Sequence, residues 1–374
     1  MLRVLHIISD TNIGGAGRHL LTFLEHYDRA RLAVWVLCPP ASLLLAPCAE
    51  AGVETLTSRY LAGDRSFSGR GIAGLTRELR AVVKKYRIDI VHTHASFSGR
   101  LAAKAAGVRR IVYTKHRMDW EAPRGLLKKQ ALALLNNFTY HRVIAVSQAV
   151  KGDLLHSGVP EDRIALIYNG IDVKRFREQA RRGAPDPRLK NGKKRRIVGI
   201  VGRLEPEKGH RFFLEAAAAI LKQRKDVFFI VVGTGSLAGE LAGLARHLGI
   251  SEHVLFTGYQ DNIAAFIAMM DVLVIPSLTE AFGIVMLEAM CLAKPCVASA
   301  VGGLVEIAGG DGRTALLIPP GDAAAIAAKV NFLLERPDLI KAMGLRAVRE
   351  VEEKFTAEKM TGKTTKLYYE LLKS

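Results

Sequence analysis

Two carboxylates, Glu280 and Glu288, punctuate the stretch SLTEAFGIVMLEAM, with a glycine and an apolar run between them. The pattern predicts one acid just before a helix and the other about two turns along it. A carboxylate accepts hydrogen bonds at both oxygens, which suits a ligand rich in hydroxyls. Solvation of a surface is the plainer alternative. In VGRLEPEKGH, Arg203 and Lys208 flank a Pro-containing turn, and a helix starting near Gly209 would present them together. A planar guanidinium beside a point-charge ammonium suits a diphosphate. A solvated strand-to-helix loop is the alternative there.

Glycines follow other apolar runs. DTNIGGAGRHLLTF places Gly14, Gly15 and Gly17 where a helix opens, so that backbone amides face a phosphate or polar ligand. A dinucleotide fingerprint would need a third glycine where Leu20 stands, and the next apolar run ends in VLCPP with no acid for a ribose. Gly233 and Gly235 in VVGTGSLAGEL mark either backbone close to a ligand or a tight turn. YTKHRMDW sets Lys115, His116 and Arg117 at the end of a strand. HTH puts His92 and His94 on one strand face, a poor metal site with no third ligand evident. No D-x-D occurs, which shifts neutralisation of a nucleotide diphosphate from a divalent ion to Arg, Lys and helix N-termini.

These residues need elements to hold them. Short apolar, β-branched runs such as RVLHIIS, DIVHTH, RIVGIVGR and DVLVIPS alternate with helical stretches such as HRFFLEAAAAILKQR. That alternation predicts parallel sheets covered by helices, buried on both faces. At 374 residues, two domains are expected. The stretch Val173 to Arg196 is charged and lacks an apolar period, so it reads as a linker between domains at 1–172 and 197–374. Two such domains facing each other would form a cleft lined by their strand ends.

The net charge of +18 is uneven: +10 over residues 1–172, +9 over 173–196 and −1 over the remainder. Such a field favours an anionic partner, a membrane surface among them, or serves solubility alone. No apolar run reaches the roughly 20 residues of a membrane span. The first residues read as a buried strand rather than a signal peptide, and Cys38, Cys48, Cys291 and Cys296 form no C-x-x-C pair. A reduced, cytoplasmic setting is expected.

Together the motifs resemble the retaining glycosyltransferases of family 4, group 1, which have the GT-B fold. Glu280 and Glu288 match that family's E-x7-E, GRLEPEKG its G-R-x-x-x-x-K-G, and Asn169 to Asp172 its N-G-V/I-D. Gly302 to Glu306, Pro319 to Asp322 and the IGGAGRH loop also fit. The resemblance covers essentially the whole chain. It implies an α/β GT-B architecture of two Rossmann-like domains, and sugar transfer from a nucleotide-diphosphate-sugar to a glycan or lipid-linked acceptor without a metal or other cofactor. It further implies catalytic roles for Arg203, Lys208, Glu280 and His116. Gly15, Gly233, Gly235, Phe282, Gly283, Ile284 and Glu288 would bind the donor, Glu288 at the ribose hydroxyls. Gly14, Arg18, Lys115 and Arg117 would serve the acceptor in the basic first domain. The C-terminal helix, near Met360 to Leu372, would return towards that domain. Ala281, Ala293 and Ala315 depart from glycines common in the family. A sugar-nucleotide epimerase, a glycosidase, a basic nucleic-acid binder and an inactive carbohydrate-binding relative are the rival readings. The 7% aromatic content and the lack of a recognised module argue against nucleic acid.

Overall fold

The computed structural model describes residues 1–61, 69–94, 96–118, 138–183, 195–309 and 312–373. The chain forms two compact units: Met1–Gly170 with Ala357–Ser374, and Ile171–Thr356.

The first unit is a seven-stranded sheet, parallel throughout. Its strands are β1 (Leu2–Ile8), β2 (Leu32–Cys38), β3 (Glu54–Thr57), β4 (Ile90–His94), β5 (Ile111–Lys115), β6 (Arg142–Ala145) and β7 (Ile164–Leu166). Helices α1 (Gly15–His26), α2 (Leu45–Glu50), α3 (Gly69–Tyr86), α4 (Phe97–Ala105) and α5 (Gln148–His156) connect them. The strand order is β3-β2-β1-β4-β5-β6-β7. It reverses between β1 and β4, so chains leaving these two strands diverge and open a crevice at their carboxyl ends. All five residues of β4 are buried, as expected of a strand covered on both faces.

The second unit opens with α6 (Val173–Arg182) and holds β8 (Arg196–Val201), β9 (Val227–Val232), β10 (Val254–Gly258), β11 (Val272–Ile275), β12 (Cys296–Ser299) and β13 (Ala315–Ile318). Its helices are α7 (His210–Gln223), α8 (Ala238–His247), α9 (Ile263–Met269), α10 (Ile284–Cys291), α11 (Gly303–Ile307), α12 (Ala323–Leu334) and α13 (Pro337–Lys354). The order β10-β9-β8-β11-β12-β13 is again all parallel, with its reversal between β8 and β11.

The final helix, α14 (Ala357–Lys373), packs on α1 within the first unit. Tyr368 is fully buried there, its ring against Phe23 and His92 and its hydroxyl 2.5 Å from His92 Nδ1. Arg110 Nε donates to the Leu371 carbonyl at 2.8 Å.

Part of the expected linker is helical. The Asp172 carboxylate caps α6 by accepting from the Arg175 N–H at 2.9 Å. Phe176 is the one buried side chain of the helix. Polar attachments do the rest: Arg177 donates to the Cys291 carbonyl and to Glu352, each at 2.9 Å, and Asn262 donates to the Gln179 carbonyl at 2.9 Å. The inward face is sparse, with Val173, Phe176 and Ala180 interrupted by Arg177 among many charges, which is why its sequence reads as a linker. Residues 184–194 of that stretch lie outside the described residues.

The end of α10 carries a local conflict. The Lys294 N–H bonds the Ala289 carbonyl and the Ala293 N–H bonds that of Met290, at 3.0 and 3.1 Å. This is the Schellman closure, whose left-handed position normally holds glycine. Here Ala293 occupies it at φ 55°, and its Cβ crowds the backbone. Relief of that crowding outweighs the extra freedom glycine gives the unfolded chain. Ala293→Gly is therefore expected to stabilise the protein by up to about 1 kcal/mol, read as a higher melting midpoint in calorimetry. A lower midpoint would show that the turn absorbs the methyl without strain.

Candidate active site

The loops beyond β8 and β11 flank the reversal of the second sheet, and each delivers a charge. After β8, residues Pro206–Lys208 form one turn of 3-10 helix, and α7 begins at His210. After β11 the chain passes Ser277 and Glu280 before α10. The two loops are tied at backbone level, with the Leu278 N–H donating to the Glu207 carbonyl at 2.8 Å. Across this tie, Lys208 Nζ lies 2.5 Å from Glu280 Oε2, and both side chains are mostly buried. Ser277 Oγ donates to the same oxygen at 3.4 Å. A charge-assisted bond in this setting fixes both groups before any ligand arrives.

Gly283 caps α10 at φ 105°, in the left-handed region. A Cβ there would stand 2.4 Å from Leu304 Cδ2. The glycine therefore lets the first turn of α10 start close under α11, with its amides at the mouth of the crevice. Phe282 is buried, with its ring 5.8 Å from that of Phe355 in edge contact. Its side chain belongs to the core, so only its backbone can serve a ligand. Ile284 opens α10, and Glu288 lies one turn further on, 4% exposed.

Arg203 stands apart from the Lys208–Glu280 pair. Its guanidinium is 56% exposed and is held by Glu207 at 2.7 Å. Gly233 and Gly235 have a reason within the fold. A Cβ on Gly233 would fall 2.0 Å from the Gly202 carbonyl oxygen, and one on Gly235 would fall 2.5 Å from that of Leu204. The Arg203 loop thus lies directly on the loop after β9. Glu205 fastens it, accepting from the Ser236 N–H and hydroxyl at 3.0 and 2.7 Å. These bonds hold the Glu205 carboxyl below its usual range.

His210 is a residue that sequence reasoning passed over. It is 2% exposed, neither ring nitrogen meets a partner among the described residues, and burial pushes its pKa down to about 4. A histidine following a K-G turn into a helix was its only signal.

In the first unit, Gly14 caps α1 without a side-chain bond, and a Cβ there would meet nothing within 4 Å. Gly15 opens the helix, and Arg18 donates its N–H to the Gly14 carbonyl at 2.9 Å. Arg117 is exposed. Lys115 is 7% exposed, and its ammonium pairs with Asp153 of α5 at 2.6 Å. The Lys115 charge thus has a partner within its own unit.

His116 belongs to a larger group. His6 of β1, His19 of α1, and His92 and His94 of β4 are fully or almost fully buried beside it. Nitrogens of His6, His92 and His94 lie within 4.8 Å of one another, as do those of His19, His94 and His116. The expectation that His92 and His94 lack a third imidazole is therefore corrected. Parallel pairing of β1 and β4 sets His6 level with His92, a register that the sequence does not display. Burial holds all five rings below their usual pKa, His6 at about 3 and His19 at about 4.

Known proteins show the same arrangement of sequence. The model for group 1 glycosyl transferases matches residues 185–349, and that for glycosyltransferase family 4 matches residues 13–175. A D-inositol 3-phosphate glycosyltransferase of Streptomyces avermitilis is 31% identical over 93% of this chain and 81% of its own length. An N-acetyl-alpha-D-glucosaminyl L-malate synthase of Bacillus anthracis is 29% identical over 80% of this chain and 79% of its own. The UDP-Gal:alpha-D-GlcNAc-diphosphoundecaprenol alpha-1,3-galactosyltransferase of Escherichia coli is 29% identical over 60% of this chain and 61% of its own. Among solved structures, a glycosyltransferase from Rickettsia africae has a TM-score of 0.83 at 22% identity, covering 100% of this chain and 99% of that one. HepE of Anabaena in complex with UDP and glucose also has a TM-score of 0.83, at 21% identity over 99% and 100%.

The buried rings generate a pH dependence. They stay neutral in the folded protein, whereas an unfolded histidine titrates near 6.5. Below that pH the unfolded chain binds more protons, so stability falls as pH falls. Each ring adds a slope of about 1.4 kcal/mol per pH unit, down to its own folded pKa. The melting temperature is expected to drop steeply from pH 7 to pH 5.5 and to change little on these groups' account from pH 7 to 8.5. An unchanged melting temperature at pH 5.5 would mean that the rings are charged in the fold.

Proposed function

The chain belongs to the group 1, family 4 glycosyltransferases, which have the GT-B fold, and from that premise we propose the following reaction. A sugar passes from a nucleotide-diphosphate-sugar to an acceptor hydroxyl with retention of the anomeric configuration, and no divalent metal takes part. The carrying observation is the Lys208–Glu280 pair beside the first turn of α10.

The bond that breaks joins sugar C1 to the diphosphate oxygen, and negative charge develops on the departing diphosphate. An ammonium already oriented by Glu280 meets that charge without reorganising in the transition state. Two of its three protons remain for phosphate oxygens when one is given to Glu280. The amides opening α10 and the Arg203 guanidinium add further positive potential. Glu280 holds sugar hydroxyls, and Glu288 accepts from the vicinal hydroxyls of the ribose. The backbone of Phe282, Gly283 and Ile284, with that of Gly15, Gly233 and Gly235, completes donor binding. UDP is the first nucleotide to try, because it is bound in HepE and the Escherichia coli relative is named for UDP-Gal.

The acceptor is anionic and bound by the first unit through Gly14, Arg18 and Arg117, with His116 at the reacting centre. Relatives are named for L-malate, a diphospholipid and inositol 3-phosphate, all of them anions. The face of α3 supports this reading: Arg70, Arg77, Arg80, Lys84 and Lys85 are exposed, while Leu75 and Leu79 are buried. No described helix is long and apolar enough to cross a membrane. A lipid-linked acceptor would therefore be met at the cytoplasmic membrane surface, with α3 on anionic headgroups.

The transferase reading is tested by thermal shift with UDP-, GDP-, ADP- and dTDP-sugars in the presence of chelator. One of these donors is expected to raise the melting temperature, and Lys208→Ala to lower turnover about 100-fold or more with that donor. No stabilisation by any of the four would count against the reading, and unchanged kinetics would remove Lys208 from it. For the membrane, flotation with anionic vesicles at low salt is expected to carry the protein upward, and 0.5 M salt to release it. Protein left at the bottom of the gradient at low salt would refute surface binding.

A further inference from the structure

The amides that open α10 stand at the mouth of the second crevice, yet a bond at the far end of this helix comes from α6. The sequence of α10, IVMLEAMC, is apolar on every side apart from Glu288. Met286, Leu287, Ala289, Met290 and Cys291 are all buried. Apolar burial is non-directional. A helix that is apolar all round also has no single stripe to fix its rotation or its slide along its own axis. Hydrogen bonds at its ends are directional and supply that reference.

The carboxyl end is where α6 enters. The turn that follows α10 satisfies the carbonyls of Ala289 and Met290. The Cys291 carbonyl, the last of the helix, lies beyond that closure. Arg177 Nε donates to it at 2.9 Å, and Arg177 Nη1 donates to Glu352 Oε1 of α13 at 2.9 Å. One guanidinium thus joins α10 to α13, and its planar fork sets the direction of both bonds. A cation at the negative end of a helix also complements the helix dipole.

We propose that Arg177 is a positioning residue of the donor site: it sets the axial place of α10, and with it the amides that open this helix towards the diphosphate. This rests on the reading that those amides meet a nucleotide-sugar.

The rest of the frame makes the two ends of α10 answer to each other. The helix has eight residues, about 12 Å, and so moves as one piece. At its carboxyl end, Gly344 of α13 leaves no room for a Cβ against the Ala293 carbonyl. At its amino end, the Phe282 ring meets that of Phe355, the residue that closes α13. The same helix, α13, therefore bears on both ends of α10, and Arg177 is its hydrogen-bonded link. The Arg177 side chain is 35% exposed and that of Glu352 47%. An ion pair this open to water adds little stability, so the main effect of Arg177 is geometric.

The test is Arg177→Lys, with Arg177→Ala beside it. Lysine keeps a charge next to Glu352 but replaces the fork by a point charge on a flexible stem. A merely structural role would lower the melting midpoint and leave the donor KM of the folded enzyme unmoved. Both variants are expected instead to raise the donor KM about tenfold, the scale of one hydrogen bond to a charged group. A smaller change is expected in kcat and none in the acceptor KM. An unchanged donor KM in Arg177→Lys overturns the proposal, whether or not Arg177→Ala folds. The second readout is hydrogen exchange without any ligand. The Met286 N–H donates to the Gly283 carbonyl at 2.9 Å and reports the first turn of α10. Its exchange is expected to quicken about tenfold in Arg177→Lys, and an unchanged rate also overturns the proposal. Exchange needs no turnover. A quickened Met286 in a protein whose wild type binds none of the four nucleotide-sugars would sink the transferase reading and leave the hold of Arg177 on α10 standing.

Discussion

Both units depend on one constraint, the reversal of strand order in a parallel sheet. Where two adjacent strands send their connections to opposite sides, the backbone leaves a crevice that no side chain has to open. In the second unit that place lies between β8 and β11. The Leu278–Glu207 backbone bond closes the two loops upon each other just beyond it. Lys208 and Glu280 meet because their loops do. Their sequence separation of 72 residues is bridged by sheet topology, and the ion pair adds orientation rather than architecture. In the first unit the same reversal falls between β1 and β4, and it seats the histidines of both strands side by side.

What could be read from the sequence was local. Strand after strand was announced by β-branched runs, and the carboxylates and basic residues of the second unit by their spacing around glycines. Glu280 stands just before α10 as expected, Glu288 falls one turn along it rather than two, and Lys208 stands at the turn before α7. What the sequence did not display shares a cause, since in each case a distant partner supplies the contact. Lys115 reads as an open cation until Asp153, 38 residues on, claims it. Val173–Arg182 reads as a tether because its attachments are guanidinium and amide groups rather than leucines. The histidine group depends on the register between β1 and β4 and on a helix, α1, that brings His19 over them. Gly233 and Gly235 admit two readings at once, because a neighbouring loop already requires them to be bare, whether or not a ligand meets their backbone.

The two units use charge and burial differently. Lys208 and Glu280 of the second unit are fastened to one another, so their orientation is set in advance. The first unit buries five titratable rings and keeps them neutral. Neutral imidazoles store no net charge. One family fold thus holds a paired cation and carboxylate in one half and a buried group of neutral rings in the other.

The return of the chain to its first unit bears on how the protein is made. Residues 171–356 are contiguous, whereas the first unit needs Ala357–Ser374 to cover α1 and to seat Tyr368 against His92 and Phe23. On the ribosome the amino-terminal sheet emerges first but lacks a wall of its core until the last helix has been translated. The usual order, in which the leading domain matures before the trailing one, is therefore inverted: the inserted second unit can complete itself while the first waits. During that interval Phe23 and the histidine-lined interior stand open to water and to chaperones. The time taken to translate the inserted unit and the helix that follows it then sets how long the first unit stays incomplete.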